Sequence, residues 1–185
     1  MVCSLRKKSQ VPLVFLTYLN PVFFYGYDRF FARCQEVGVD GIIIPDLPYE
    51  EKREVSDVAS QYGVDVISMI APTSEQRIKK IASEAAGFLY VVSSMGVTGV
   101  RSEIKTDLPS ILAAVKEASS VPAAVGFGIS TPEQAEKIAG MCDGVIVGSA
   151  IVKLIEKYGC DAEEPVREYV RKMKAATCAN SPEKL

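Results

Sequence analysis

Two glycine-bearing turns hold most of the chemistry legible in this sequence. "VPAAVGFG" (121–128) runs into "ISTPEQAEK", and "DGVIVGSA" (143–150) runs into "IVKLIEK". In each, an apolar run meets glycine and then a small hydroxyl residue where a helical pattern opens. Ser130 or Thr131 suits an N-cap, with Pro132 in the first turn. Gly128 allows close backbone approach, and Gly148 with Ser149 again leads from run to helix. A helix start presents free N–H groups at the positive end of its dipole, so it holds an anion without a lysine or arginine. Glycines that only serve tight turns are the plainer reading. Two similar motifs at the last two run-to-helix turns favour a phosphate. A third glycine-rich stretch, "SSMGVTGVRSE" (93–103), contains Gly96, Thr98 and Gly99. It reads as a lid, as further donors to the same phosphate, or as a flexible loop alone.

Other chemistry is sparse. The chain has no histidine, and its five cysteines are scattered with no C-x-x-C pair. That argues against a zinc site, a Ser-His or Cys-His nucleophile and a disulfide framework, and no metal site is expected. Tyr90 lies inside an apolar run and either faces a pocket or is a core aromatic. Asp46 ends a run, where a catalytic acid could stand, but it suits better the ordering of the turn into "PYEEKREVS". Glu50 and Glu51 read as first-turn helix acids, and Arg6, Lys7 and Lys8 as solvated charge. No carboxylate pair able to do acid–base chemistry is apparent.

The elements that must position these residues follow a repeat. Six near-continuous apolar runs stand at 12–18, 40–46, 64–72, 87–94, 121–128 and 143–150. Runs without alternation are the pattern of strands buried on both faces, as in a parallel sheet. Amphipathic helical patterns lie between them, and a last one covers about 162–176. Repeated βα units leave two closures, a doubly wound open sheet or a barrel. A full barrel needs eight units and typically about 250 residues. The 185 residues here suggest one domain, 1–185, with a frayed tail at 177–185. A net charge of −2 without a basic block argues against nucleic acid. No stretch reads as a signal peptide or a membrane span, and reduced cysteines suit a cytoplasmic protein.

With these residues assembled, the chain resembles the alpha subunits of tryptophan synthase. The resemblance rests on "PLVFLTYLNPVFFYG", "GVDGIIIPDLPYEE", "GFLYVVSSMGVTGVR", "AAVGFGISTPEQA" and "GVIVGSAIVKLIE", in the family's order over about residues 11–176. It implies an α/β fold, an incomplete TIM (β/α)8-type barrel of about six βα units corresponding to strands three to eight. It implies a lyase that cleaves indole-3-glycerol phosphate into indole and glyceraldehyde 3-phosphate in tryptophan biosynthesis. It implies no cofactor in this chain, and a beta subunit as partner (alpha2beta2 in the family), which carries pyridoxal phosphate.

Carried over residue by residue, the family's phosphate positions fall on Gly99, Gly128, Gly148 and Ser149. Its substrate pocket falls on Leu16, Ile43, Met69, Tyr90, Thr98, Phe127 and Ile146, with Tyr18 at the same mouth. At Ser94 many relatives have arginine. The family's catalytic glutamate ends strand two and its aspartate lies in the following loop. Neither position has a counterpart here, which leaves Tyr90 as a possible auxiliary group. The expectations are a chain inactive alone and, because of open strand edges, one that self-associates, recruits the missing segment or is poorly stable. The rival readings are a non-catalytic alpha-like phosphate-binding or docking module, and another phosphate-barrel isomerase or epimerase.

Overall fold

The computed structural model describes residues 1–92, 107–126 and 128–178. The loop at 93–103, with Ser94, Thr98 and Gly99, lies outside these residues, as do Phe127 and positions 179–185 of the tail.

The elements run in the order α1 (Val2–Arg6), β1 (Val14–Leu16), α2 (Leu19–Tyr25), α3 (Tyr27–Val37), β2 (Gly41–Ile43), α4 (Lys52–Gln61), β3 (Asp65–Val66), β4 (Ser68–Ile70), α5 (Glu75–Ser83), β5 (Leu89–Val92), α6 (Leu108–Ala118), β6 (Ala123–Gly126), α7 (Pro132–Ala139), β7 (Gly144–Val145), α8 (Ser149–Tyr158) and α9 (Glu163–Cys178). Each of the six apolar runs contributes a strand. The third run yields two, β3 and β4, separated at Ile67, whose N–H donates to the Ile42 carbonyl at 2.9 Å. One sheet has the order β1-β2-β3 and the other β4-β5-β6-β7. The pairings β1–β2, β2–β3 and β6–β7 are parallel, in the registers Val14↔Gly41, Gly41↔Asp65 and Ala124↔Gly144. Parallel neighbours require a crossover, and the helices supply it.

The described residues fall into two compact units. The first comprises Met1–Met69 with Glu84–Leu89. Its core gathers Phe31, Ile42, Ile44, Val55, Val64 and Val66 between the sheet and helices α3 and α4. The helical spacing of Phe31 and Cys34 in α3, and of Val55 and Ala59 in α4, turns one stripe of each helix inward. The second comprises Ile70–Ser83 with Tyr90 onward. There α5 packs on α6 and α7 on α9, and Lys79 bridges Glu75 and Glu117 at 2.7 and 2.8 Å.

Burial on both faces holds for β2 and β5, which are buried throughout. It fails for β1 and β7. Val14 and Leu16 of β1 are 36% and 64% exposed, and both residues of β7 are half-buried. Among the described residues each of these strands ends its sheet with a single neighbour, so the apolar run reports composition and not burial.

Arg6 is also not the solvated charge that the sequence suggests. Its side chain is 15% exposed. Nε donates to the Gly38 carbonyl and Nη1 to the Val11 carbonyl, each at 2.6 Å, and Nη2 pairs with Asp40. Asp40 accepts in turn from the Leu13 N–H at 2.6 Å. One guanidinium thus pins α1, the approach to β1 and the turn before β2. Arg6→Met should lower the unfolding free energy by about 2–3 kcal/mol, because charge-assisted bonds are lost and carbonyls are stranded. Arg6→Lys should recover only part of that, since an ammonium cannot reproduce the fork. Urea unfolding of the three proteins checks both statements.

Candidate functional site

The turns after β6 and β7 differ in how their helix starts are satisfied. At the first, Gly128 has φ +77, in the left-handed region where a side chain is strained. Thr131 is the N-cap of α7, with Pro132 as its first residue. The Thr131 hydroxyl accepts from the Gln134 N–H at 3.3 Å. The Gln134 side chain reaches back to accept from the N–H groups of Ser130 at 2.8 Å and Thr131 at 3.2 Å. This capping box uses three donors that the sequence suggested were free. Glu133 adds an acid, its carboxyl held below the usual range by its own backbone N–H and the Thr131 hydroxyl.

At the second turn, Gly148 is the N-cap of α8 and has no side chain to close the helix. The Gly148 carbonyl accepts from Ile151 and Val152 at 2.9 and 3.2 Å. Gly148 and Ser149 are both exposed, and a Cβ at Gly148 would meet nothing within 4 Å. Of the two helix starts, α8 is the one with no side-chain cap among the described residues, and its first turn contains no acidic residue. Ile146 is held beside β6 by its N–H to the Val125 carbonyl at 2.8 Å.

Gly126 has a different reason for being glycine. A Cβ there would lie 2.6 Å from Tyr90 Cζ and 2.8 Å from Cε1, so the ring of β5 lies against the bare backbone of β6. Tyr90 is 7% exposed, and burial raises its phenol above the ordinary value. A buried phenol of raised pKa is a poor base at neutral pH.

The remaining positions belong to the first unit. Leu16 ends β1 and Tyr18 caps α2, and they are 64% and 66% exposed. Ile43 ends β2 and is buried, while Met69 in β4 is half-buried. Asp46 does not order the turn that follows it. Its Oδ1 accepts from the Leu19 N–H at 2.9 Å, so it closes the start of α2, where Tyr18 supplies no side-chain cap.

Sequence reasoning missed one polar cluster. Lys52 Nζ donates to Ser68 Oγ at 2.7 Å and to the Glu84 carbonyl at 3.3 Å. Ser68 is the buried polar residue among the core positions. Burial lowers the Lys52 pKa, partly offset by Glu84 and Asp65. The lysine anchors α4. In "EEKREV" it reads as one more surface charge, and only the buried serine two strands later distinguishes it. Among the described residues no three His, Cys, Asp or Glu side chains gather as metal ligands, and no helix is long and apolar enough to cross a membrane.

Among the described residues, parallel strands alternating with helices, and a helix start after the last strand, define an α/β protein built of βα units. The family profile for tryptophan synthase alpha chains matches residues 1–180. The alpha chain of Lacticaseibacillus casei is 50% identical over 97% of this chain and 67% of its own length. That of Alkaliphilus metalliredigens is 49% identical over 84% of this chain and 59% of its own length. The solved tryptophan synthase α2β2 complex of Pyrococcus furiosus contains a chain 35% identical, with a TM-score of 0.84 over 94% of this chain and 71% of that one. An Aquifex aeolicus structure is 34% identical, with a TM-score of 0.83 over 95% and 66%. This chain belongs to the tryptophan synthase alpha chain family. It spans 59% to 67% of the length of these two curated relatives.

Proposed function

We propose that this chain is the phosphate-binding part of an alpha subunit in tryptophan biosynthesis, a single partial barrel domain. Its ligand is indole-3-glycerol phosphate or the product glyceraldehyde 3-phosphate. Gly128, Gly148 and Ser149, with Gly99, hold the phosphate through backbone N–H groups. Leu16, Tyr18, Ile43, Met69, Tyr90, Thr98, Phe127 and Ile146 line the indole side. The observation that supports this most directly is the uncapped, acid-free start of α8 immediately after β7, a place where anions bind in βα proteins. No cofactor belongs to this chain. Its partner is a pyridoxal phosphate-bearing beta subunit, its compartment is the cytoplasm, and nucleic acid and membrane are not among its partners.

As it stands the 185-residue chain is not expected to turn over substrate, because the family's glutamate and aspartate positions have no counterpart in it. A docking or phosphate-binding module without catalysis is the second reading.

The test is titration with glycerol 3-phosphate, followed by calorimetry and thermal melting. Binding should raise Tm, and Gly148→Asp, which sets a carboxylate at the anion's place, should abolish the rise. Gln134→Ala, which opens the α7 cap, should leave it in place. If Gly148→Asp binds as well as the parent, the site is elsewhere.

A further inference from the structure

Building on the phosphate reading of the turn after β6, we propose that Tyr169 of α9 is a positioning residue for that turn. Its hydroxyl holds the Ser130 carbonyl and so selects the turn shape in which Gly128 presents its backbone to an anion. The hydroxyl donates to that carbonyl at 2.9 Å, across 39 positions of sequence. Both residues belong to the second unit.

The turn needs an anchor from outside itself. Gly128 stands at φ +77, and a glycine has so many accessible conformations that by itself it selects no single one. Ile129 is buried, which fixes a side chain but does not orient the peptide that follows. The Ser130 and Thr131 N–H groups donate to Gln134. Gln134 is part of α7, so this cap closes the helix on itself and moves wherever the helix moves. Tyr169 stands on a different helix. α9 packs on α7, and Met173, one turn beyond Tyr169, is buried. Residues four apart share a helix face, so packing holds the stripe from which the tyrosine reaches.

The bond also suits an anion site. Tyr169 is half-buried, and burial raises its phenol above the ordinary value, so it is a proton donor at neutral pH. A carbonyl held toward α9 does not swing toward a bound phosphate, whose charge its lone pairs would repel. A turn already ordered before binding also avoids the entropy of ordering it afterwards. The net worth of one such hydrogen bond corresponds to about two- to tenfold in affinity.

The experiment uses Tyr169→Phe, which keeps the ring and removes the donor. Titrated by calorimetry well below its Tm, it is expected to bind glycerol 3-phosphate about two- to tenfold more weakly than the parent. Gln134→Ala, whose cap is internal to α7, should bind as the parent does. In 15N–1H spectra of the ligand-free proteins, Tyr169→Phe should move the amide signals of Gly128 to Thr131 and leave those of Ser149 and Ala150 in place. A tyrosine that only packs α9 would lower Tm and change neither the affinity nor the Gly128 signal. Tyr169→Leu repeats the test if Tyr169→Phe fails to fold. Equal affinity, or an unmoved Gly128 signal, overturns the proposal and leaves the phosphate reading standing. A parent chain that does not bind glycerol 3-phosphate overturns both.

Discussion

Indole release from indole-3-glycerol phosphate by this 185-residue chain is expected to be at least about 10²-fold slower than by a full-length alpha subunit. Cleavage needs a proton delivered to indole C3 while the glycerol hydroxyl loses one. Each positioned acid or base supplies about 10²–10⁴-fold, and the resemblance places both on positions with no counterpart here. No described group replaces them. The Tyr90 phenol is buried and its pKa is raised. The Asp46 carboxylate is engaged with the Leu19 N–H. An assay of indole formation, with and without a beta subunit, decides the matter. Turnover near that of a full-length subunit would mean that a group such as Asp46 leaves its cap and takes the role.

Gly126→Val is expected to destabilise the second unit by about 1–3 kcal/mol, the usual range for overpacking a filled site. The added Cβ alone would fall 2.6 Å from Tyr90 Cζ, so the ring or β6 must move. Gly126 is buried in β6, which leaves little room for either. Gly126→Ala should show a smaller loss of the same origin. Tyr90→Leu removes the ring while retaining apolar volume, so the double variant should lose less than the sum of the single changes. A coupling of about 0.5–3 kcal/mol is expected for groups in contact. Denaturant melts of the four proteins measure it, and additive losses would show that the ring and the glycine do not compete for space.

Much of the architecture was legible because it depends on local pattern. The six apolar runs and the helices between them are set by period and by residues such as Thr131 and Pro132, whose roles are decided within a few positions. What the sequence hid depends on partners far along the chain. Arg6 reads as surface charge until Gly38 and Asp40 are seen beside it, and Asp46 reads as a turn residue until it meets Leu19. The reason for Gly126 is a tyrosine on the neighbouring strand, which its own stretch does not show. The α7 start looked open because Gln134 is not obviously its second cap. The exposure of β1 and β7 depends on which strands lack a second neighbour, and apolar composition is silent on that.

The stitches that hold the first unit have a common spacing. Arg6 to Gly38, Leu13 to Asp40, Leu19 to Asp46, Asp28 to Tyr62 and Lys52 to Glu84 join residues 27 to 34 apart. That is about one βα repeat, so each bond fastens a repeat to the next. The entropy of closing a loop grows only with the logarithm of its length. Within this unit, adding a repeat therefore costs nearly the same at every step. Such a unit can begin assembling at any adjacent pair of repeats and lengthen from there, as the growing chain leaves the ribosome. A defect at one stitch then delays the neighbouring repeat and leaves the others free to form.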